Sequence, residues 1–378
     1  MISQKCNLRC TYCYGTDGSY GNEMQMNQAI AFKAIDWLIN HSGKEKNLRF
    51  VFFGGEPLLN FSLMEKTAAY ARKRALECQK TAGFEITTNA TLITEKIISF
   101  FKEYNIIPCV SFDGPAEIQD AQRPLSSGKG SFNQIVPRIR LLLSSIPETA
   151  CRATWIKGSD PELILTCLRE LGFKKIMLIP ASLAPDLTCD AYSDSITDEY
   201  LPFIQTFAKE TDDLLRYIKD RDIVGVRLVA TDTVLWNLTE RVVRKLKKET
   251  PCGAGRELVA VSANGDLFPC HRFTGYPDFK LGNIASDYLD TRFNPWQVVD
   301  DIPTCSECPI RYHCSGGCYH DNLASTGDHN KPSTGSCDRK KAMMGIIEKL
   351  SLQLTESDIE FLYQEKFFKR TPCPLDFR

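Results

Sequence analysis

No apolar run in the 378 residues reaches the roughly 18 that a membrane-spanning helix requires. An excess of one charge is missing as well: 46 Lys and Arg stand against 47 Asp and Glu, a formal net charge of −1, so no broad basic field exists to attract nucleic-acid phosphates. Neither a membrane nor a nucleic acid is an expected partner. The opening Met-Ile-Ser-Gln-Lys-Cys lacks the basic-then-apolar layout of a secretory signal, which points to a reducing cytoplasm. Histidine is scarce, with 5 residues, but cysteine is abundant, with 16. A disulfide-dense miniprotein is excluded by length, because those scaffolds compensate for a core they are too small to build. The thiols must then act as ligands, nucleophiles or core filler.

Their distribution separates these roles. Three lie close together at Cys6, Cys10 and Cys13, and seven more fall at Cys252, Cys270, Cys305, Cys308, Cys314, Cys318 and Cys337. The other six, Cys78, Cys109, Cys151, Cys167, Cys189 and Cys373, are scattered and read as small packing residues.

Helix-like and strand-like periodicity alternates from about residue 26 to 180. Helical spacing over 26–40 (Ile30, Ala31, Ala34, Ile35, Leu38) precedes a short apolar run at 47–53. Helical stretches near 61–79, 94–104, 132–144 and 161–171 then alternate with strand-like runs at 84–88, 106–112, 150–156 and 174–180. Such alternation predicts an α/β fold, a parallel sheet or barrel of βαβ units with its chemistry at the C-terminal ends of the strands. The polar stretch 184–198 reads as a linker. Two amphipathic helices are expected near 198–219 and 230–248. The second ends in the basic run Arg241, Arg244, Lys245, Lys247 and Lys248, read as a solvated face whose charge suits a helix C-terminus. Cys, Gly and His dominate from Cys252 onward, and helices near 338–354 and 356–368 close the chain.

The run Cys6-Asn-Leu-Arg-Cys10-Thr-Tyr12-Cys13 puts three thiols on one short loop. Three thiolates can hold three corners of a cubane iron–sulfur cluster and leave the fourth iron open, whereas a structural zinc prefers four protein ligands. Phe52-Phe53-Gly54-Gly55-Glu56-Pro57 sets bare glycine backbone and a carboxylate directly after an apolar strand, suited both to a strand-to-helix turn and to meeting an ammonium group. Later strand ends carry Thr87-Thr88-Asn89, Ser111-Phe112-Asp113-Gly114 and Arg152, polar groups for which turn or capping duty is the competing role.

On the cysteine triplet with its aromatic Tyr12, and on the Gly-Gly-Glu-Pro run, the sequence resembles the radical S-adenosylmethionine superfamily. The resemblance implies a partial (β/α)6 TIM-type barrel over residues 1–183, in which Cys6, Cys10 and Cys13 hold a [4Fe-4S] cluster whose open iron chelates S-adenosylmethionine. One electron, from a donor such as flavodoxin or ferredoxin, then yields a 5′-deoxyadenosyl radical that abstracts hydrogen from a substrate. It also implies that Tyr12, Gly54, Gly55, Glu56, Pro57, Thr88, Asn89, Ser111, Asp113 and Arg152 line the cofactor pocket. The family's barrel begins with a strand before the cysteine loop. With only five residues ahead of Cys6, that strand is expected to be missing, to lie before Met1, or to be replaced by another segment.

The later cysteines follow Cys-x2-Cys-x5-Cys-x3-Cys-x18-Cys from Cys305 to Cys337, preceded by Cys252 and by Gly265-x4-Cys270. This resembles the SPASM extension of the same enzymes, which binds two auxiliary [4Fe-4S] clusters and brings the total to three. Residues 184–250 would then be linker and bridging helices, 251–340 the SPASM domain and 341–378 C-terminal helices. Carried over by position, Cys305, Cys308, Cys314 and Cys337 ligate the outer cluster. Cys252, Cys270 and Cys318 ligate the inner one, which is one ligand short. Anaerobic sulfatase-maturating enzymes, a related group, have a further cysteine shortly after the position of Cys252, where this chain has Leu258, Val259, Ala260 and Val261. They have an aspartate base at the position of His271.

An open inner iron could take a substrate thiolate. That arrangement, with Cys270-His271-Arg272-Phe273, resembles maturases that join a cysteine sulfur to a carbon of another residue in a ribosomally made precursor peptide. The expected function is thioether formation in such a peptide, with His271 counted as catalytic beside the three loop cysteines. Formylglycine formation in a sulfatase and carbon–carbon or carbon–oxygen crosslinking are the alternatives. For the second cysteine group a zinc module is a further one. Many such maturases carry an N-terminal leader-binding domain for which no room is left. Leader recognition then falls to a separate protein, to the barrel and helices, or to residues before Met1.

Overall fold

Residues 1–182, 200–286 and 298–368 are described by the computed structural model. The expected linker at 184–198, and Cys189 and Cys373, lie outside the described residues. The elements run α1 Gln28–His41, β1 Asn47–Phe52, α2 Phe61–Glu77, β2 Thr81–Thr88, α3 Glu95–Glu103, β3 Cys109–Ser111, α4 Ala116–Gln122, α5 Phe132–Ser145, β4 Ala150–Trp155, α6 Pro161–Glu170 and β5 Lys175–Pro180. The five strands lie side by side in chain order, with parallel registers that set Phe50 beside Phe84, Thr87 beside Cys109 and Ser111 beside Arg152. A parallel neighbour requires a crossover, and the amphipathic helices supply it. In α2, Met64, Ala68, Ala71 and Ala75 form one fully buried stripe, and in α3 the Thr94 side chain caps the helix while Ile97, Ile98, Phe100 and Phe101 turn inward.

The residues ahead of Cys6 fill the sheet edge that the sequence left open. Ile2 donates to the Phe53 carbonyl (2.9 Å), Gly55 to Ser3 (2.9 Å) and Glu56 to Lys5 (2.8 Å), a parallel ladder continuing past the end of β1. On the other side Gln4 donates to Met24 and Met26 to Ile2. Only Ser3 pairs as a bridged residue, so the segment is a minimal strand.

By contact density the chain divides into two units. One comprises Met1–Arg152, Leu171–Phe173 and Ala254–Asn294, the other Ala153–Glu170, Lys174–Gly253 and Pro295–Arg378. The first unit also holds a small antiparallel sheet of β6 Ala260–Val261, β7 Asp266–Phe268 and β8 Gly282–Asn283. The backbone N–H of Ala263 bonds the Gln4 side chain at 2.7 Å, which ties this sheet to the N-terminal ladder.

The second unit adds α7 Leu201–Lys219, α8 Ile223–Val229, α9 Thr233–Val243, α10 Arg311–Cys314, α11 Tyr319–Thr326, α12 Thr334–Gln353 and α13 Glu356–Gln364. The helix expected at 230–248 is shorter than its apolar period suggests. Asp232 caps its start by accepting from Val234 and Leu235, and Lys245 takes a left-handed φ of 55° just past its end. The basic run is a solvated face only in part: Lys245 and Lys247 are exposed, Lys247 lying 4.8 Å from the Tyr312 ring centroid, while Arg244 is nearly buried against Glu240 and Lys248 bonds the Pro251 carbonyl. The last helix stops at Gln364, short of 368. Among the scattered cysteines Cys151 is buried as expected, but Cys78 is exposed at the C-terminus of α2, where no packing role exists for it. No described helix is long and apolar enough to cross a membrane.

Candidate active site

The cysteine loop leaves the N-terminal ladder directly at Cys6 and is held from two sides. Cys6 packs against Gly18: a side chain there would put its Cβ 2.5 Å from the Cys6 Cβ. On the other side the loop pairs with the chain after α4, through Arg9 N–H to the Pro124 carbonyl (2.8 Å) and Thr11 N–H to the Gln122 carbonyl (2.9 Å), with Leu8 bridged to Leu125. No described cysteine forms a disulfide. Burial, opposed by the Leu8 backbone N–H and reinforced by Glu56 and Cys13, pushes the Cys6 thiol up to about 11. Burial with Cys13 and Asp113 nearby pushes Cys10 up to about 12, against the pull of Arg123. Such thiols resist ionisation until a cation arrives to offset the charge. Among the described residues no three His, Cys, Asp or Glu side chains converge on one ion. A cubane makes a different demand, since each thiolate takes its own iron. The loop thus offers three mutually interacting thiols, the donor set that a cluster with one open corner requires.

Glu56 ends the ladder fully buried. Its Oε1 accepts from the Leu58 N–H (3.0 Å) and the Thr88 hydroxyl (2.8 Å), and its Oε2 from the Asn89 N–H (2.7 Å). Burial nonetheless raises it to about 7, against those three hydrogen bonds. An ionised carboxylate has about four acceptor positions, so one remains for a cationic group. Pro57 starts the short turn that Glu56 caps. Gly54 and Gly55 are forced by the ladder itself: a Cβ on Gly54 would fall 1.8 Å from the Ser3 carbonyl oxygen, and one on Gly55 2.4 Å from that of Lys5.

Asn89 reaches back to the loop, donating to the Asn7 side chain at 2.9 Å, and Asn7 in turn donates to the Thr91 hydroxyl at 2.8 Å. The Tyr12 hydroxyl donates to Asp113 Oδ2 and accepts from Arg123 Nη1, each at 2.5 Å. Ser111 and Arg152 pair across β3 and β4, and the Arg152 charge acts on Tyr14. His271 has its ring centroid 4.3 Å from Phe53 and 6.2 Å from Tyr14, while the Arg272 guanidinium lies 4.7 Å from the Tyr14 centroid. The expected residues Cys6, Cys10, Cys13, Tyr12, Glu56, Thr88, Asn89 and Asp113 are therefore brought together. Asn7, Tyr14, Arg123, Tyr20, whose hydroxyl donates to the Gly54 carbonyl at 3.4 Å, and Gln119, whose Oε1 accepts from the Asp113 N–H at 2.8 Å, belong to the same network and were not singled out by sequence. For Arg123 the available signal was its place before Pro124, which disfavours a helix continuing through it.

Residues 1–171 match the family model described as the radical SAM superfamily. The cysteine-type anaerobic sulfatase-maturating enzyme of Clostridium novyi is 33% identical over 329 residues, which cover 84% of this chain and 85% of that protein. The chain belongs to the radical SAM superfamily. Relatives within it include sulfatase-maturating enzymes and a bacteriocin biosynthesis protein. The radical SAM cyclopropyl synthase TigE of Paramaledivibacter caminithermalis is 22% identical over 95% of this chain and 75% of that one. The antilisterial bacteriocin subtilosin biosynthesis protein AlbA of Bacillus subtilis is 25% identical over 87% and 68%. The fold is that of native anSMEcpe with bound AdoMet, at a TM-score of 0.73 and 19% identity, covering 93% of this chain and 98% of that one. A radical SAM enzyme carries a [4Fe-4S] cluster and S-adenosylmethionine, and the three-thiol loop with the Glu56 carboxylate fits both.

In the second unit Cys305, Cys308, Cys314 and Cys337 are also mutual neighbours. Burial first, and then Cys314, Cys305 and Cys308, push the Cys337 thiol up to about 11. Burial, then Cys314 and Cys308, likewise raise Cys305. Cys314 ends α10, and Ser315, Gly316 and Gly317, all at positive φ, turn the chain so that Cys318 opens α11. A Cβ on Gly316 would meet Ile302 at 2.8 Å. Cys252 and Cys318 belong to the second unit and Cys270 to the first.

Proposed function

We propose that this radical SAM enzyme is a maturase that forms a thioether from a cysteine of a ribosomally made precursor peptide. The observation that carries this reading is His271, which follows Cys270 and stands beside Phe53, the residue before Gly54-Gly55, and near Tyr14, the residue after Cys13. An imidazole is suited to taking a proton near neutrality, and a substrate thiol must lose one before its sulfur can bond to carbon. When bound, S-adenosylmethionine and its cluster supply the hydrogen-abstracting radical, and auxiliary clusters supply an acceptor for the remaining electron. The residues do the rest. Cys6, Cys10 and Cys13 hold the first cluster, Glu56 meets the ammonium of S-adenosylmethionine, and His271 takes the thiol proton. Thr88, Asn89, Ser111, Asp113 and Arg152 shape the pocket wall.

The ligand reading extends to the SPASM pattern. Cys305, Cys308, Cys314 and Cys337 would hold an outer cluster, and Cys252, Cys270 and Cys318 an inner one that is one protein ligand short. The domain bounds 1–183, 184–250, 251–340 and 341–378 belong to this reading. So do a reducing cytoplasm, an electron donor of the flavodoxin or ferredoxin type and a separate leader-binding protein. Anaerobically prepared protein is expected to carry about 12 Fe per chain with matching sulfide. About 4 Fe with bound zinc would overturn the auxiliary clusters.

The second reading is formylglycine formation in a sulfatase, favoured by the likeness to the Clostridium novyi enzyme. Product chemistry separates the two. A thioether removes two hydrogens and blocks the cysteine to alkylation, whereas formylglycine exchanges the sulfur for oxygen.

A further inference from the structure

Arg123 is a buried cation whose charge acts on Cys6, Cys10 and Cys13, and neither the family signature nor the proposed ligand set assigns it a role. It follows α4 as the C-terminal cap and is 8% exposed. The ladder fixes its position. Ser126 N–H donates to the Asn7 carbonyl and Arg9 N–H to the Pro124 carbonyl, which makes Leu8 and Leu125 a narrow antiparallel pair. Two residues further on, on the same face, Cys10 stands opposite Arg123, with the Thr11 N–H to Gln122 bond beside it. Arg123 itself has φ −130° and ψ 56°, outside the extended range, and its charge acts on the Cys10 thiol. Pro124 has no N–H to close the second bond of the pair.

Two further contacts set the guanidinium. Nη1 donates to the Tyr12 hydroxyl at 2.5 Å, and that hydroxyl donates to Asp113 Oδ2 at 2.5 Å. Asp113 is itself steadied by Gln119, whose Oε1 accepts the Asp113 N–H at 2.8 Å and whose amide donates to the Ser131 hydroxyl at 2.9 Å. Arg123 Nε is buried without a hydrogen-bond partner among the described residues. A buried donor left unpaired is costly and calls for an explanation. A guanidinium is not deprotonated in a protein, so Arg123 is a cation.

We propose that Arg123 is a positioning residue that raises the reduction potential of the cluster held by Cys6, Cys10 and Cys13, by fixing one positive charge opposite Cys10. The inference rests on the assignment of those three ligands. A cluster on three thiolates is anionic, and adding an electron makes it more so. A fixed cation beside it therefore favours the reduced state, net charge and hydrogen bonds to sulfur being two of the protein's levers on such potentials. Tyr12 acts as the spacer that holds the guanidinium in place, and Asp113 limits the effect by offsetting part of the charge.

The test is an anaerobic redox titration of the reconstituted full chain, following by electron paramagnetic resonance the reduced-cluster signal that changes when S-adenosylmethionine is added. At one applied potential, Arg123→Gln is expected to lower the ratio of reduced to oxidised cluster about tenfold, equivalent to about 59 mV for one electron. Arg123→Lys, which restores the charge, should recover most of that ratio, and Asp113→Asn should move it the opposite way. Tyr12→Phe, which removes a contact but no formal charge, should move it less than Arg123→Gln. An unchanged ratio in Arg123→Gln with the signal intact overturns the inference and leaves the ligand assignment standing. Absence of any signal responsive to S-adenosylmethionine in the unaltered protein overturns both. Equal shifts in the Gln and Lys variants would show a structural role and overturn the electrostatic one.

Discussion

Replacing Cys6, Cys10 or Cys13 with alanine is expected to abolish reductive cleavage of S-adenosylmethionine, read as loss of 5′-deoxyadenosine after anaerobic incubation with dithionite. The three thiols share one loop, and the structure spreads the hold on that loop widely. Gly18 backs Cys6, the Asn7–Asn89 amide pair ties the loop to the end of β2, and the two backbone bonds to Gln122 and Pro124 flank Cys10. Losing one sulfur leaves these supports in place, so the protein should remain folded while the cluster loses a corner that no other described cysteine shares the loop to replace. Retained cleavage in any of the three variants would refute the ligand assignment.

Gly54→Ala is expected to cost nearly as much for a different reason. The added methyl would meet the Ser3 carbonyl at 1.8 Å, and its neighbours are backbone atoms on a paired strand that no side-chain rotation can relieve. The N-terminal segment has to leave the edge of β1, which takes the bonds from Gly55 to Ser3 and from Glu56 to Lys5 with it and moves Cys6. A displacement of about 1 Å in a catalytic frame can lower turnover roughly 100-fold, and cleavage should fall by at least that. Amide hydrogen exchange at Gly55 and Glu56 should lose its protection in the same variant. Gly21→Ala is the control: it also has positive φ (78°) but no atom within 4 Å of the new methyl, so its cost is the left-handed backbone alone, about 1–2 kcal/mol. If Gly54→Ala behaves like Gly21→Ala, the ladder does not position the site.

The five sheet strands were legible because each carries apolar, β-branched or aromatic residues between helical periods, even where, as in β1 and β2, only some positions are buried. Helix ends were less so. The apolar period around residues 230–248 does not reveal that Asp232 caps the helix or that Lys245 turns left-handed, because both are backbone events. The N-terminal ladder escaped notice since Ile2–Lys5 is too short to show a period and its partners lie about fifty residues away. The site divides the same way. Cys6, Cys10, Cys13 and Glu56 announce themselves by spacing and residue type. Arg123 is an ordinary arginine until the pairing of Leu8 with Leu125 brings it opposite Cys10.

The proposal that the enzyme makes a thioether is tested most directly by the fate of one thiol. The probe is a short Cys-bearing peptide encoded beside the gene, incubated anaerobically with the reconstituted enzyme, S-adenosylmethionine and dithionite, with a sulfatase-type cysteine peptide run in parallel. Mass spectrometry should find the first peptide lighter by two hydrogens and its cysteine no longer alkylated by iodoacetamide. A product whose cysteine still alkylates, or conversion of the sulfatase peptide alone with sulfur replaced by oxygen, would contradict it.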